Sequence, residues 1–367
     1  MFVREEIQHK KALLREAMKL HGLDAVVIKR QGNFSWLTGG GLSMVGIANE
    51  LGIAALVILP DAEFAVCSAV EGPRMAREEC LEDQGYSLQV YPWQQERETE
   101  IVRRLAGPGR VAADYPLPGA EDANPVIAPL RYALTEWELA RYRALCLFTA
   151  EAVEDTCRTV RQGDRECAVT GRLAERLWAE RVDFVVTLCA ADERTSLYRH
   201  PIPTEKRVEK FLMLCVNSRK GGLITSITRF VHFGKRPSDL EEKYAANVYI
   251  DCAMMAATIP GRPWKDAYLA GKEAYARFGK LAEMDLHHQG GPLGYQPRDA
   301  RVTEESTGVV LENQAFAWNP TITGVKSEDV MLARSSGPEI LTKPCNYPTR
   351  ECEAGGIRFV RPDILEL

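Results

Sequence analysis

His287-His288-Gln289-Gly290-Gly291-Pro292-Leu293-Gly294-Tyr295 decides how this chain is read, because it sets two of the six histidines in a glycine-rich turn whose backbone can approach a ligand closely. On a strand, neighbouring side chains point to opposite faces, so at most one of His287 and His288 is expected to enter a given site. Moving outward, polar residues outside any amphipathic stripe gather in three further places. These are Tyr198-Arg199-His200-Pro201, Ser226-Ile227-Thr228-Arg229, and Trp318-Asn319-Pro320 with Lys326-Ser327-Glu328-Asp329. Each falls at a predicted strand end or in the turn beside it. His200 precedes a proline, which disfavours a helical predecessor and puts it in an extended or turn conformation.

Such a histidine, with an ordinary pKa near neutrality, has the chemistry of a general base; read alone, it is also a plain surface loop residue. Glu328 and Asp329 alternate, so one carboxylate is expected to face a pocket and the other an arginine or solvent. Arg298 and Arg229 are candidates to clamp a substrate carboxylate through a bidentate fork, or to neutralise Asp299 or Asp329. Asn319 and Tyr295 complete the candidate substrate contacts.

At 367 residues the chain exceeds what one core usually covers, so two domains are expected. A net charge of -5 leaves no basic excess for phosphate backbones, which argues against nucleic acid as a partner. No apolar run reaches the length of a bilayer span, and Met1-Phe2-Val3-Arg4-Glu5-Glu6 carries acids where a signal peptide needs an apolar core. No membrane association and a cytoplasmic location are therefore expected. The ten cysteines contain no C-x-x-C pair, so buried thiols are expected in place of a zinc or disulfide framework.

The periodicities alternate. A helical stripe over Glu5 to Leu20 leads into a strand at Asp24 to Lys29, a turn at Trp36 to Gly41, and a hairpin of Ile53–Leu59 and Glu63–Cys67. Helices near 72–81 and 96–105 and strands near 87–91 and 110–113 complete an α/β domain over 1–130. Prolines and acids make a loop of 116–129, after which Thr135-Glu-Trp-Glu138 forms a capping box opening the second domain, 131–367. Helices to about Val160 and over 165–180 precede strands at 184–188, 211–216 and 223–233. Helices near 240–255 and 263–281 precede strands at 315–322 and 328–333, a helix-pair-and-strands order that reads as a faint internal duplication.

The order of these signals resembles the pita-bread family of creatinase, aminopeptidase P, prolidase and methionine aminopeptidase, the M24-like proteins. The resemblance spans essentially the whole chain: an α/β domain, a helix pair, a His-Pro turn, a strand ending in Thr228-Arg229, a His/Gly turn, Asn319-Pro320 and a closing Gly324-Val-Lys-Ser-Glu328-Asp329. It implies an α/β N-terminal domain followed by an α+β pita-bread domain with pseudo-twofold duplication. In the family's metallopeptidases two divalent ions are held by Asp, Asp, His, Glu and Glu. Carried over by position, these fall on Cys215, Ser226, Gly291, Asn319 and Glu328, and no aspartate lies between His200 and Asp239 to repair the loss. One carboxylate is too little to hold two dications against water, so no metal or other cofactor is expected.

Creatinase is the family's metal-free precedent. His200 matches its catalytic histidine and Glu328 one of its carboxylates, while Asn319 replaces the second, which fits a neutral or zwitterionic substrate. The expectation is thus a metal-independent hydrolase of a C–N bond in a small molecule, with His200 as general base, Glu328 as acid or orienting carboxylate and His288 as proton donor or oxyanion stabiliser. Arg298 would anchor a substrate carboxylate. Alternatives are a thiolate mechanism at Cys215, an Xaa-Pro-type peptidase with an altered metal site, and a pita-bread protein that binds a metabolite or protein partner without catalysis. The resemblance also implies a homodimer, with Asn33-Phe-Ser-Trp36 entering the partner's pocket.

Overall fold

The computed structural model describes residues 2–367 as two compact units, one running to Arg131 and taking in Gly221–Leu223, the other comprising Tyr132–Lys220 and Ile224–Leu367. The first unit contains α1 (Arg4–His21), β1 (Ala25–Arg30), α2 (Gln31–Leu37), β2 (Leu51–Ile58), β3 (Glu63–Ser68), α3 (Gly72–Arg77), β4 (Ser87–Tyr91), α4 (Glu98–Ala106), β5 (Val111–Ala113), β6 (Glu121–Asp122) and α5 (Asn124–Leu130). Its six strands form one mixed sheet in the order β4-β3-β2-β1-β5-β6. Val27, Val57, Val66 and Val111 from that sheet pack with Ile101 and Val102 of α4 into its core.

Two helices depart from the sequence reading. Helix α2 replaces part of the expected turn and buries Asn33, Phe34, Ser35 and Trp36 within the unit, with Asn33 Nδ2 donating to Asp114 Oδ2 at 2.9 Å. That burial corrects the expectation that this segment reaches a partner's pocket, because its side chains are already consumed by packing. Helix α5 forms in the stretch read as loop, with Pro125 in its first turn, where a fixed φ and a missing N–H are suited.

The second unit opens with α6 (Glu136–Arg158) and α7 (Glu166–Ala179). The capping box is present: Thr135 N donates to Glu138 Oε2 at 2.8 Å and Glu138 N donates to Thr135 Oγ1. There follow β7 (Asp183–Ala191), α8 (Arg194–Leu197), β8 (Phe211–Lys220), β9 (Leu223–His232), α9 (Ser238–Ala257), α10 (Trp264–Arg277), β10 (Gly290–Pro292), β11 (Gln314–Trp318), β12 (Thr321–Ile322), β13 (Val325–Lys326), β14 (Asp329–Ala333), β15 (Glu339–Ile340), β16 (Thr349–Ala354), β17 (Ile357–Pro362) and β18 (Leu365–Glu366). Two four-stranded sheets result, β18-β9-β8-β7 and β10-β11-β14-β15.

Leu188, Met213, Phe230, Ile250, Met254, Tyr275, Phe316, Trp318 and Met331 from both sheets and from α9 and α10 share one buried core. At about 25 cal/mol per Å² of apolar surface, that burial is the main favourable term holding the sheets together. Antiparallel hairpin β16–β17 adds to the elements of the sequence reading, and Gly355-Gly356 at its turn, both with positive φ, is the sequence signal for it. Among the described residues no helix is long and apolar enough to cross a membrane.

Candidate active site

Glu328 organises the site. It stands just before β14, and its carboxylate is almost completely enclosed within the second unit. Strand β9 presents Ser226 and Thr228 two residues apart on one face, and their hydroxyls donate to Glu328 Oε1 at 2.7 Å and Oε2 at 2.8 Å. Lys326, also two residues from Glu328, brings its Nζ to 2.6 Å from Oε2. Arg298 Nη2 donates to Oε1 at 2.9 Å, and Cys215 Sγ of β8 lies 3.4 Å from Oε2.

Burial alone would raise the Glu328 pKa, but the charges of Lys326 and Arg298 and the hydrogen bonds from Lys326 and Ser226 outweigh it, holding the carboxyl well below the usual range. Burial works to lower the Lys326 pKa, but the charge and hydrogen bond of the Glu328 carboxylate beside it help hold the ammonium above the ordinary lysine value. Glu328 is therefore a fixed anion with its oxygens occupied, which corrects its expected role as an acid and leaves the orienting one.

A cavity of about 730 Å³ opens beside this cluster, lined by Val186 and Leu188 of β7 and by His200, Ile202, Cys215, Asn217, His288, Arg298, Arg301, Asn319, Lys326 and Glu328. A second, of about 480 Å³, shares His200, His288 and Arg301 with it and adds His287 and Asp285. His200 thus sits where the two meet. Its Nε2 lies 3.1 Å from His287 Nε2, and the His287 and His288 ring centroids are 4.5 Å apart.

The expectation that only one of His287 and His288 enters the site is overturned. The pair lies in extended coil ahead of β10, outside the strand's alternation, and both rings converge on His200. Partial loss of water, then the Lys326 charge, lowers the His200 pKa. Burial, then the same charge, takes His287 to about 2, and burial with Arg298 and Arg301 takes His288 to about 4. All three imidazoles are uncharged at neutral pH.

Two expected substrate contacts are corrected. Arg229 is fully buried and points away from the cavity, bonding Glu154 Oε1 at 3.1 Å, Asp329 Oδ1 at 2.9 Å and the Thr342 carbonyl at 2.8 Å. Tyr295 is equally buried, its hydroxyl donating to Glu138 Oε1 at 2.7 Å. Asn319 does reach the cavity, with its Oδ1 buried and unpartnered among the described residues. Burial, against the pull of Lys326, pushes the Cys215 thiol up to about 11, so a thiolate nucleophile is not formed there at neutral pH. Lys326 and Thr228 were present in the quoted motifs without an assigned role; their spacing of two residues from Glu328 and Ser226 is the signal that places them on one face with those partners.

The model of metallopeptidase family M24 matches residues 140–359. The chain belongs to metallopeptidase family M24. An uncharacterized peptidase of Staphylococcus aureus (strain USA300) is 20% identical over 230 residues, 60% of this chain and 65% of that protein. The chain thus spans just under two thirds of the length of that relative. An Xaa-Pro dipeptidase of Pyrococcus horikoshii is 22% identical over 355 residues, 89% of this chain and 95% of that one. The solved Xaa-Pro dipeptidase of Bacillus anthracis superposes with a TM-score of 0.78 at 17% identity, covering 98% of this chain and all of that one, which establishes the shared pita-bread fold.

The M24 ligand set does not fit here. Cys215, Ser226, Asn319 and Glu328 do gather at one place, but they offer a single carboxylate whose Oε2 already binds the Lys326 ammonium. At Gly291, where the resemblance puts the imidazole ligand, a Cβ would come within 2.2 Å of the Ala300 carbonyl. Residues 299–302 fold over β10 there, with Asp299 N donating to the Pro292 carbonyl and Val302 N to that of Gly290.

Proposed function

We propose that this M24 protein hydrolyses a C–N bond in a small neutral or zwitterionic molecule without the family's pair of metal ions, with His200 as the general base. The observation that carries this reading is Lys326, an internal ammonium bound to the one carboxylate left at the ligand positions, beside an uncharged His200 facing the cavity. If His200 keeps its proton on Nε2, given to His287 Nε2, its Nδ1 is left to accept a proton from water. The water oxygen adds to the acyl or amidine carbon. An oxyanion formed there accepts a hydrogen bond from the uncharged His288, and the departing nitrogen takes the proton back from His200 as the C–N bond breaks. The apolar wall of Val186, Leu188 and Ile202 suits a hydrocarbon arm, and Arg301 with the unpartnered Nε of Arg298 suits a carboxylate. Asn319 offers an uncharged acceptor and donor.

The test is turnover of a panel of amides, amidines and dipeptides bearing a carboxylate, in the presence of a chelator, by the wild type and His200→Ala. Chelator-resistant turnover that falls by about 10²–10⁴-fold in the variant is expected. Cleavage of Xaa-Pro dipeptides that requires an added divalent ion would replace this reading with an altered-metal peptidase. Saturable binding without turnover would leave a non-catalytic binder.

A further inference from the structure

The three imidazoles of His200, His287 and His288 place their donor nitrogens within 4.8 Å of one another, on a cavity wall and apart from the positions of the M24 ligands. We infer that they form a site for one transition-metal ion of the zinc class. Zinc–nitrogen bonds of about 2.0–2.1 Å at tetrahedral angles separate two donor nitrogens by about 3.3 Å. His200 and His287 already present their Nε2 atoms 3.1 Å apart, so these two need almost no movement and the third ring need only close in.

Without an ion the contact between His200 and His287 can use only one N–H, and the Nδ1 of His288 remains buried and unpartnered. The chain that carries the rings is held in place independently of any ion. Gln289 Nε2 donates to the His287 carbonyl at 2.6 Å while Tyr275 Oη donates to Gln289 Oε1 at 3.0 Å. Arg199, beside His200, is anchored to Glu283 at 2.7 Å. Of the cations that act on the trio, Lys326 and Arg298 are each ion-paired to Glu328, while Arg301 lines the cavity and Asp285 supplies negative charge there. Three imidazoles with an open fourth position select a borderline ion such as zinc or cobalt over magnesium or calcium, which require oxygen donors.

An ion bonded to His200 Nε2 forces the ring proton onto Nδ1, the atom that takes the proton of water in the proposed reaction. Zinc is therefore an inhibitor of that reaction; this consequence rests on the proposed function, whereas the binding does not.

The experiment is equilibrium dialysis of the full chain against zinc, with cobalt substitution followed by visible spectroscopy. One equivalent bound, with cobalt bands of four- or five-coordinate nitrogen and oxygen ligation and no thiolate charge-transfer band, is expected. His287→Gln and His288→Gln should each weaken zinc binding by at least about tenfold while circular dichroism stays unchanged. No binding by the wild type, a thiolate band from one of the cysteines, or zinc affinity unchanged in both folded variants overturns the inference. Should either variant misfold, the wild-type cobalt spectrum decides alone. Dialysis reads the ion and not turnover, so failure here leaves the hydrolase reading standing, and failure of that reading leaves this result untouched.

Discussion

Glu328 and Asp329 are adjacent in sequence, both negligibly exposed, and do opposite things. Glu328 faces a cavity, with Lys326 and Arg298 as its counterions and His200 across the open space. Asp329 faces a sealed interior, where Arg229 Nη1 lies 2.9 Å from Oδ1 and Arg361 Nη2 3.0 Å from Oδ2. Arg229 goes on to Glu154, and Arg361 to Asp251 at 2.6 Å, so α6, β9, α9, β14 and the hairpin strand β17 are tied together through two guanidinium groups. Burial lifts the Asp251 carboxyl to about 7 against the opposing pull of Arg361.

The difference teaches that the family's closing dipeptide serves two purposes, with one carboxylate kept for the site and its neighbour used as a brace. This chain has rebuilt the first around an ammonium. The brace is made of paired charges enclosed on every side, where a missing partner is most costly; the Glu328 cluster is nearly as buried but borders an open cavity, into which a stripped side chain can turn.

Arg361→Ala tests the brace hardest, because it strips buried Asp251 of its counterion and Asp329 of one of its two. A loss of about 3–5 kcal/mol in denaturant unfolding is expected, and a loss below about 1 kcal/mol would break the distinction between brace and site. Glu328→Gln comes next, leaving Lys326 and Arg298 without their carboxylate at the cavity edge. It should lower stability by about 1–3 kcal/mol.

The same variant sharpens the comparison by pH. The folded-state pKa of Glu328 lies below the ordinary 4.5, so the unfolded chain binds the proton more readily on acidification. Its stabilisation is complete above the ordinary value and is lost as pH falls toward the depressed one. Melting temperatures of the wild type and Glu328→Gln should accordingly converge as pH is lowered below the ordinary glutamate value. A gap that widens on acidification would remove the assigned ion pair.

Tyr295→Phe deletes one buried hydroxyl from Glu138 and should cost about 1 kcal/mol, measurable in the same denaturant titration. His200→Ala removes an exposed loop side chain, so its effect on stability should stay within about 0.5 kcal/mol even as turnover collapses. A larger loss would mean that the imidazole trio braces the fold in its own right.

Much of this was legible from residues alone. The capping box at Thr135 and the apolar runs of β7, β8 and β9 were legible because caps and helix and strand periods are local properties of sequence, and the order of the polar clusters carried the resemblance that implied the pita-bread architecture. The replacements that the resemblance implies at Cys215, Ser226, Gly291 and Asn319 are equally plain, since an absent carboxylate or imidazole needs no coordinates to be noticed. Hairpin β16–β17 carried its Gly355-Gly356 signal, and Lys326 stood two residues from Glu328 throughout.

Tertiary structure alone decided which charges meet. Whether Arg229 clamps a substrate or braces Asp329 depends on which face of β9 looks into the cavity, and that is set by β14 and the hairpin packing against it, far along the chain. His287 and His288 converge because they lie in coil fixed by Tyr275 and Gln289, where strand alternation no longer applies. Periodicity tells which residues share a face; only the fold brings Ser226, 102 residues before Glu328 in the chain, to hydrogen-bond distance of it beside Lys326, where Coulomb energies and desolvation become large enough to fix the charge states of the ion pair.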